Sequence, residues 1–385
     1  MAYIYLDSAA TTAMSERSIA AMNKAALLAG NPSSIHKAGL EAASLLSSAR
    51  SQLMGALGIR RPRETTLLFT SCGSEANNTV FFGSAYAKAR NKGRRIVLTD
   101  SEHPSAARCA DRLESEGYRV TRLSTKGGVI DERELREAVK DAFLLSLMAV
   151  NNETGAVYDI QRLFSIAKEE NADIITHTDG VQAFLKIPLS FDSCGADCMS
   201  ISSHKIHGPK GVGALVVKNQ LLKAKKLIPF LCGGGQEGGF RAGTENLTGI
   251  AAFGEAAEEG KALFDQTRAH AVLLKEALCE ALPASVRVNH PKSEASPFIV
   301  SLTLPGVRSE TMLHFLSAKG ICVSAGSACS ASSGRISSTL LAFGLPEKEA
   351  DCTLRVSFSR TNTVQEIAEL VNALNEGLSH LARTK

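Results

Sequence analysis

The sequence predicts an α/β protein in which a large domain with a mostly parallel, seven-stranded sheet is joined to a smaller α+β domain. Two observations lead to this fold class. Short apolar runs alternate with helical patterns between residues 66 and 217, and beyond residue 233 strands become fewer and their order mixed. Such alternation is typical of parallel strands covered by helices on both faces. A chain of 385 residues has room for two domains.

The elements of the larger domain follow from apolar periodicity. A short strand over 3–6 is followed by predicted helices over 15–29 and 34–57. The seven strands of the sheet are predicted over 66–70, 95–99, 119–123, 143–150, 173–177, 198–201 and 213–217. The helices between them are predicted over 74–90, 104–116, 131–139 and 160–170.

A glycine-rich passage over 233–239 separates this pattern from a different one. One long helical region is predicted over 244–282. The remaining elements are strands over 286–289, 298–304, 321–323 and 353–358, a helix over 309–319 and a last helix that begins at Thr363. Thr363 and Glu366 have the spacing of a capping box. We therefore predict a large domain over 15–262 and a small domain formed by 1–14 and 263–385.

Composition excludes several classes of partner. The net charge of +4 is small and no basic run stands out, so nucleic acid is not expected as a direct partner. The apolar runs are too short to span a bilayer, and the N-terminus does not resemble a signal peptide. The nine cysteines are odd in number and scattered, which argues against a disulfide framework and favours the cytosol. Cys194 and Cys198 lack a second ligand pair, so no metal site is predicted.

A lysine with two histidine neighbours suggests cofactor chemistry. Lys205 lies in a polar turn over 202–211, between two predicted strands, with His204 and His207 beside it. Crowding and partial burial lower the pKa of a lysine, and a neutral amine is what a Schiff base with an aldehyde cofactor requires. The alternative is a basic turn that meets solvent or a phosphate.

Other strand ends carry compatible side chains. Ligand sites in open α/β sheets lie at the carboxyl ends of the strands. Asp179 follows the predicted strand over 173–177 and could hold a pyridine nitrogen protonated, which a pyridoxal phosphate site requires. The remaining candidates after strand ends are Gly73 and Ser74 at a helix start suited to a phosphate, His103, and Asn152. Together these five strand ends predict bound pyridoxal 5′-phosphate.

The chain resembles the cysteine desulfurases of the nitrogen-fixation and iron–sulfur-cluster type, which belong to the aminotransferase class V group of fold type I pyridoxal phosphate enzymes. The resemblance runs nearly end to end. It is carried by residues 6–12, 30–32, 70–75, 102–103, 150–153, 177–182, 203–211, 241–246, 326–330 and 354–357.

The resemblance implies a role for each site residue. Lys205 holds the aldehyde, Asp179 pairs with the pyridinium nitrogen, and His103 stacks on the ring and serves acid–base steps. The other implied contacts are Asn152 and Gln182 on the ring-oxygen side, Gly73, Ser74, Ser203 and His204 on the phosphate, Thr244 on the phosphate of the other subunit, and Arg355 on the substrate carboxylate. Asn152 also belongs to the implied substrate site, and the place of Thr244 implies a homodimer.

The resemblance also implies that Cys329 is the nucleophile. Its surroundings over 324–334 are small and polar, which predicts a loop on which a thiol is available. Free L-cysteine would give L-alanine and a persulfide on Cys329, and the sulfur would then pass to an acceptor protein, either a cluster scaffold or a thiolation enzyme. The open alternatives are a selenocysteine lyase, a class V aminotransferase and a catalytically silent scaffold.

Five departures from the family pattern lie in or near these motifs. Thr178 replaces a usual valine and Ala13 a usual proline, and little consequence is expected from either. Cys72 and Ser74 replace residues of similar size, so little change is expected there. Gly238 replaces an arginine often found in the glycine-rich passage, which puts any contact of that arginine in doubt.

Overall fold

The computed structural model describes residues 3–87, 94–326 and 336–381. Cys329 lies outside these residues, so its predicted role is neither confirmed nor contradicted by the structure.

A seven-stranded sheet forms the centre of the larger part of the molecule. In spatial order its strands are β2 (Thr65–Thr70), β8 (Gly213–Lys218), β7 (Cys198–Ser202), β6 (Ile175–Asp179), β5 (Ala142–Met148), β3 (Arg95–Thr99) and β4 (Arg119–Leu123). The strand β8 is antiparallel to both of its neighbours, and every other pairing in the sheet is parallel. The predicted fold class is therefore confirmed, and all predicted sheet strands exist with small shifts at their ends.

Helices cover both faces of this sheet. They are α1 (Glu16–Ala26), α2 (Lys37–Ala56), α3 (Gly73–Ala85), α4 (Pro104–Ser115), α5 (Glu132–Val139), α6 (Ile160–Glu170), α7 (Asn219–Lys223) and α8 (Leu247–Ala262). Two buried apolar clusters result, one on each face. β5 is buried at all seven positions because apolar layers pack against it from both sides.

A second set of elements comes from the two ends of the chain. Strands β9 (Arg287–Val288), β10 (Ile299–Thr303) and β12 (Thr353–Ser357) form an antiparallel sheet, and β1 (Ile4–Tyr5) pairs with β11 (Ile321–Cys322). The helices of this set are α9 (Phe264–Ala281), α10 (Ser309–Ala318), α11 (Ser338–Phe343), α12 (Glu347–Ala350) and α13 (Val364–His380). The capping box predicted at Thr363 is confirmed.

A third apolar cluster is built from this second set alone, and it includes Leu6, Leu274, Leu354 and Leu370. Its separation from the other two clusters supports the division into 15–262 and 1–14 with 263–385, which stays a prediction. Phe298 and Ala271, however, pack into one of the clusters that cover the central sheet.

The long helix predicted over 244–282 is wrong in one respect. Two helices, α8 and α9, meet at Leu263, whose main-chain N–H bonds back to the Glu259 carbonyl as a helix end does. The sequence contains neither glycine nor proline at this position. The break therefore left no local signal. Within the described ranges, no helix combines the length and apolar character needed to cross a membrane.

Candidate active site

A cavity of about 240 Å³ opens at the carboxyl end of the central sheet. Nine of the residues predicted from the sequence line it: Gly73, Ser74, His103, Asn152, Asp179, Gln182, His204, Lys205 and Arg355. They gather there because β2, β3, β5, β6 and β7 run in the same direction and end at the same edge of the sheet. The structure therefore brings together nearly all of the predicted site.

Two predicted residues do not line this cavity. Ser203 is fully buried beside it, and its main-chain N–H bonds to the Val212 carbonyl. Thr244 is exposed and lies apart from the cavity lining in a single chain. Their predicted contacts with a phosphate stay predictions.

The cavity has two walls of different origin. The sheet wall consists of residues that end or follow strands of the central sheet: Gly73, His103, Asn152, Asp179 and Lys205. The terminal wall consists of Ala9 and Ala10 from the N-terminal segment and Arg355 from β12, and Asp7, outside the lining, pairs with Arg355.

Asp179 lies at the end of β6 and is almost completely buried. Its Oδ2 accepts a hydrogen bond of 2.8 Å from the Asn77 amide, and its Oδ1 accepts one of 3.0 Å from the Val181 N–H. These bonds fix the carboxylate without neutralising it. A fixed anion at this place can hold a cationic partner inside the cavity.

Asn77 links Asp179 to His103. The second N–H of the Asn77 amide donates to Ser105 Oγ at 2.8 Å, and Ser105 Oγ lies 2.7 Å from His103 Nδ1. The Ser105 main-chain N–H also donates to that Nδ1. Because Nδ1 accepts, the neutral imidazole carries its proton on Nε2. Burial lowers the pKa of His103, with Asp179 and Lys205 acting in opposite directions, so the neutral form is favoured.

Asn77 was not predicted from the sequence as a site residue. It lies one helical turn after Gly73 on α3, so its side chain points back over the same helix start. That spacing is the signal that could have indicated it.

Lys205 bridges the two walls. It lies just after β7, and its Nζ donates to the carbonyls of Ala9 and Ala10 at 2.5 and 2.7 Å. These carbonyls belong to the N-terminal segment, 195 or more positions away in sequence. The amine is thus held at the cavity edge by neutral acceptors.

The start of α3 suits an anion. Its N-cap, Cys72, forms no side-chain hydrogen bond to the helix, so the first main-chain N–H groups lack a side-chain acceptor. A Cβ on Gly73 would lie 2.9 Å from Val181, so only glycine fits closely there. Ser202 Oγ lines the same region, is buried and has no hydrogen-bond partner among the described residues. The main-chain N–H groups at this helix start, together with the Ser202 hydroxyl, fit a phosphate group.

Arg355 is the charged residue of the terminal wall, and its side chain is only 2% exposed. Its Nη2 donates to Asp7 Oδ1 at 2.7 Å, and its Nη1 donates to the Asn152 carbonyl at 2.9 Å. The guanidinium is therefore fixed in orientation and faces the cavity, as recognition of a carboxylate requires. Asp7 lies in the motif over 6–12, but nothing in the sequence indicates that it pairs with Arg355.

A buried acid lies behind His103. Glu102 Oε1 accepts from Thr99 Oγ1 at 2.8 Å and from the Met148 N–H at 2.9 Å. Burial raises the pKa of this carboxyl to about 8. The sequence does not indicate that Glu102 is buried, because a glutamate that precedes a helix start is usually exposed.

Within the described ranges, no group of three or more metal-ligating side chains is found. The cavity brings together a lysine, a buried aspartate, an open helix start and an arginine.

The family model named Aminotransferase class-V matches residues 4–370. The chain belongs to this family. Curated relatives cover almost its whole length. A NifS/IcsS protein homolog from Lactobacillus delbrueckii subsp. bulgaricus is 37% identical over 99% of this chain and 98% of its own length. Cysteine desulfurase 2 from Trichormus variabilis is 37% identical over 97% of this chain and 92% of its own length.

Solved structures agree with this class V assignment. A structure described as a NifS-like protein matches with a TM-score of 0.90 and 31% identity, covering 99% of this chain and all of its own. A structure of SspA in complex with cysteine matches with a TM-score of 0.77 and 30% identity, covering 94% and 100%. The resemblance drawn from the motifs is therefore confirmed at the level of family and fold.

Proposed function

We propose that this chain is a pyridoxal phosphate-dependent cysteine desulfurase that takes sulfur from L-cysteine and releases L-alanine. The observation that carries the proposal is one cavity in which Lys205, Asp179, His103 and Arg355 converge. The names of the class V relatives support the reaction, and the cysteine-bound structural relative supports the substrate.

The residues present fit pyridoxal phosphate. Gly73, Ser74 and His204 would hold the phosphate at the start of α3, together with the Ser202 hydroxyl, which has no partner within the described part of the chain. Asp179 would pair with the ring nitrogen, and Asn152 and Gln182 would lie on the ring-oxygen side. When bound, the cofactor supplies an aldehyde carbon and an electron-accepting ring.

The chain's own residues would bind and orient the substrate. Arg355 is fixed by Asp7 and Asn152 and presents its guanidinium to the substrate carboxylate. Lys205 Nζ would take the proton from the substrate α-carbon, since it lies at the edge of the cavity, where the carbonyls of Ala9 and Ala10 hold it. Neutral His103 would carry a proton on Nε2, available to the substrate or its product.

Cys329 would receive the sulfur. Its thiolate would attack the substrate sulfur, so that an S–S bond forms while the bond from the substrate β-carbon to sulfur breaks. The electron pair of the broken bond goes to the β-carbon, which takes up a proton and becomes the methyl group of alanine. L-cysteine and a thiol give L-alanine and a persulfide, so the step needs no outside oxidant or reductant.

The proposed partners are a second copy of the chain and a sulfur-acceptor protein. Thr244 is exposed in the single chain, as are Phe230 and Leu231 of the preceding segment, which supports a subunit contact here. The proposed compartment is the cytosol, which is supported by the finding that the cysteines among the described residues form no disulfide bond.

The first prediction tests this function. The purified protein with added cofactor should release alanine from L-cysteine, and borohydride reduction should attach the cofactor to the peptide that contains Lys205. Cys329→Ser should bind cofactor and L-cysteine but lose alanine release almost completely, because a hydroxyl is a poor nucleophile toward sulfur.

The matched control is Cys279→Ser, which removes a partly buried thiol on α9, outside the cavity lining, and should leave turnover unchanged. After brief exposure to L-cysteine without reductant, mass spectrometry should find one extra sulfur on the peptide of Cys329. A persulfide confined to Cys72 or Cys322, or cofactor attached to Lys210, would contradict the assignment. The rate of alanine release from selenocysteine, compared with that from L-cysteine, shows whether the protein is a desulfurase or a selenocysteine lyase.

A further inference from the structure

A second lysine lies buried behind the cavity. Lys186 is 7% exposed, and its Nζ donates to Gln182 Oε1 at 3.0 Å. Among the described residues, this is the only hydrogen bond of the Lys186 side chain, and its amine forms no ion pair with an acid. A long cationic side chain is seldom buried without a charged partner, so its position needs a reason.

The main chain directs Lys186 inward. The residue before it, Leu185, has a φ of 58°, a left-handed conformation that costs a leucine about 1–2 kcal/mol. Leu185 packs against Gly260 and the apolar cluster on that face of the sheet. Packing thus compensates for a turn that places Lys186 over the side chain of Gln182.

Gln182 is the residue through which Lys186 reaches the site. Its Nε2 donates to the Ala9 carbonyl at 2.8 Å, and the same carbonyl accepts from Lys205 Nζ. Lys186, Gln182, Ala9 and Lys205 therefore form one continuous chain of hydrogen bonds. Lys186 and Lys205 also border a small cavity of about 30 Å³ behind the main one.

We infer that Lys186 is a positioning residue that turns the Gln182 amide so that its N–H groups, and not its oxygen, serve the cofactor cavity. The amide oxygen faces the Lys186 amine, which donates this hydrogen bond and, as an ammonium, has no acceptor for an amide N–H. The amide nitrogen then points the other way, with one N–H on Ala9 and a second N–H left for an acceptor in the cavity. Lys186 has this role only if the chain binds pyridoxal phosphate as proposed above.

The charge of Lys186 depends on pH. Burial, with Lys205 and Arg355 nearby, lowers the pKa of Lys186 to about 7. The amine loses most of its charge above that pH but keeps N–H groups to donate. The other titratable groups around it are His204, His207, Arg360 and Glu259.

The second prediction uses the visible absorbance of the bound cofactor during a pH titration of the holoenzyme. A donor to an ionised ring oxygen stabilises the deprotonated form, so its loss should raise the midpoint pH. Lys186→Met should raise it by about half a pH unit, which is a threefold change in proton affinity. Gln182→Leu should raise it as well, and the double variant should match Gln182→Leu alone.

The matched control is Lys275→Met. Lys275 is another partly buried lysine with a lowered pKa, and it donates to the Ser296 carbonyl away from the cavity. Its replacement should leave the midpoint unchanged. Methionine fills the space of a buried lysine without charge, so both variants are expected to fold.

A second readout needs no cofactor. In urea unfolding of the full chain without added cofactor, the changes caused by Lys186→Met and Gln182→Leu should be non-additive, whereas Lys275→Met and Gln182→Leu should add. Additive unfolding for the first pair, an unchanged midpoint in Lys186→Met, or a double variant that shows the sum of both shifts would overturn the role of Lys186. Alanine release enters neither readout, so failure of the proposed desulfurase reaction is detected separately.

Discussion

On the sheet wall, each residue that faces the cavity ends or closely follows a strand of the central sheet, and the parallel direction of these strands sets its place. Asp179 and Lys205 also bond to residues that are distant in sequence, Asn77 and Ala9. On the terminal wall, Arg355 is held by Asp7, which lies 348 positions away in sequence. The sheet wall is therefore a property of local strand ends, whereas the terminal wall exists only once both ends of the chain have met. We expect changes in the first wall to affect the chemistry and changes in the second to affect substrate binding.

The third prediction breaks the sheet wall at Asp179. Asp179→Asn keeps the shape of the side chain but removes the fixed anion at the end of β6. Turnover should fall by at least about a hundredfold, as is typical when a preorganised electrostatic group is lost. The measurement is the rate of alanine release with saturating L-cysteine, with cofactor content determined on the same sample.

The control for that change is Asp197→Asn. Asp197 is also buried in this domain, but it pairs with Lys168 and Lys218 at the opposite end of the sheet. Asp197→Asn should lower the free energy of unfolding and leave turnover per folded molecule unchanged. Equal turnover in both variants would mean that Asp179 has only a structural role.

The fourth prediction breaks the terminal wall at Arg355. A lysine in its place has one ammonium and cannot serve Asp7, the Asn152 carbonyl and a substrate carboxylate in fixed directions. Arg355→Lys should raise KM for L-cysteine by about ten- to a hundredfold, or about 1.4–2.7 kcal/mol, with a smaller change in kcat. Steady-state kinetics against L-cysteine measure this division.

Arg308→Lys, at the exposed pair with Asp351, is the control and should leave both constants unchanged. A fall in kcat without a rise in KM for Arg355→Lys would show that the two walls do not divide binding from chemistry.

The fifth prediction concerns pH and the acid behind the sheet wall. The pKa of Glu102 is raised to about 8 in the folded protein, above its ordinary value near 4.5. The folded state therefore binds this proton more tightly, and its stabilising contribution is lost as pH rises from about 4.5 to about 8. Glu102→Gln lacks this loss, so its free energy of unfolding should depend less on pH in that window.

The difference in slope between the wild-type protein and Glu102→Gln should reach up to about 1.4 kcal/mol per pH unit, measured by urea unfolding at several pH values. Parallel curves for the two proteins would mean that Glu102 is ionised in the folded state. Glu102 lies outside the cavity lining, so activity should change less than in the Asp179 variant.

Sequence alone could predict most of the sheet wall. The strand over 95–99 was predicted with its observed bounds, and Lys205, Asp179 and His103 were found because each follows an apolar run. The parallel direction of the strands then brings them to one edge. The roles of these residues were inferred from the family motifs, since the residues at a single strand end are not specific for a cofactor.

Other features of the fold and the site could not be predicted, because they depend on contacts between residues that are far apart in sequence. No pattern indicates that β8 lies antiparallel between β2 and β7, that Asn77 would bond to Asp179, or that Lys186 would be buried. These are consequences of tertiary packing, which overrides the usual preference of a lysine for solvent. The helix break at Leu263 was missed for the same reason.

The pairing of Asp7 with Arg355 has a consequence for folding during synthesis. Asp7 also forms a bridge to Ser357, whose Oγ accepts the Ala9 N–H, so the N-terminal segment is held by β12. Domains generally fold from the N-terminus as the chain emerges at about 5–20 residues per second. The sheet wall can form early, but Ala9 and Ala10 gain the β12 strand that anchors them only after residue 357 has been made. A nascent chain therefore cannot present a complete substrate site. Truncation before β12 should remove the contacts of Asp7 and Ala9 with that strand and leave the N-terminal segment held from the sheet side alone.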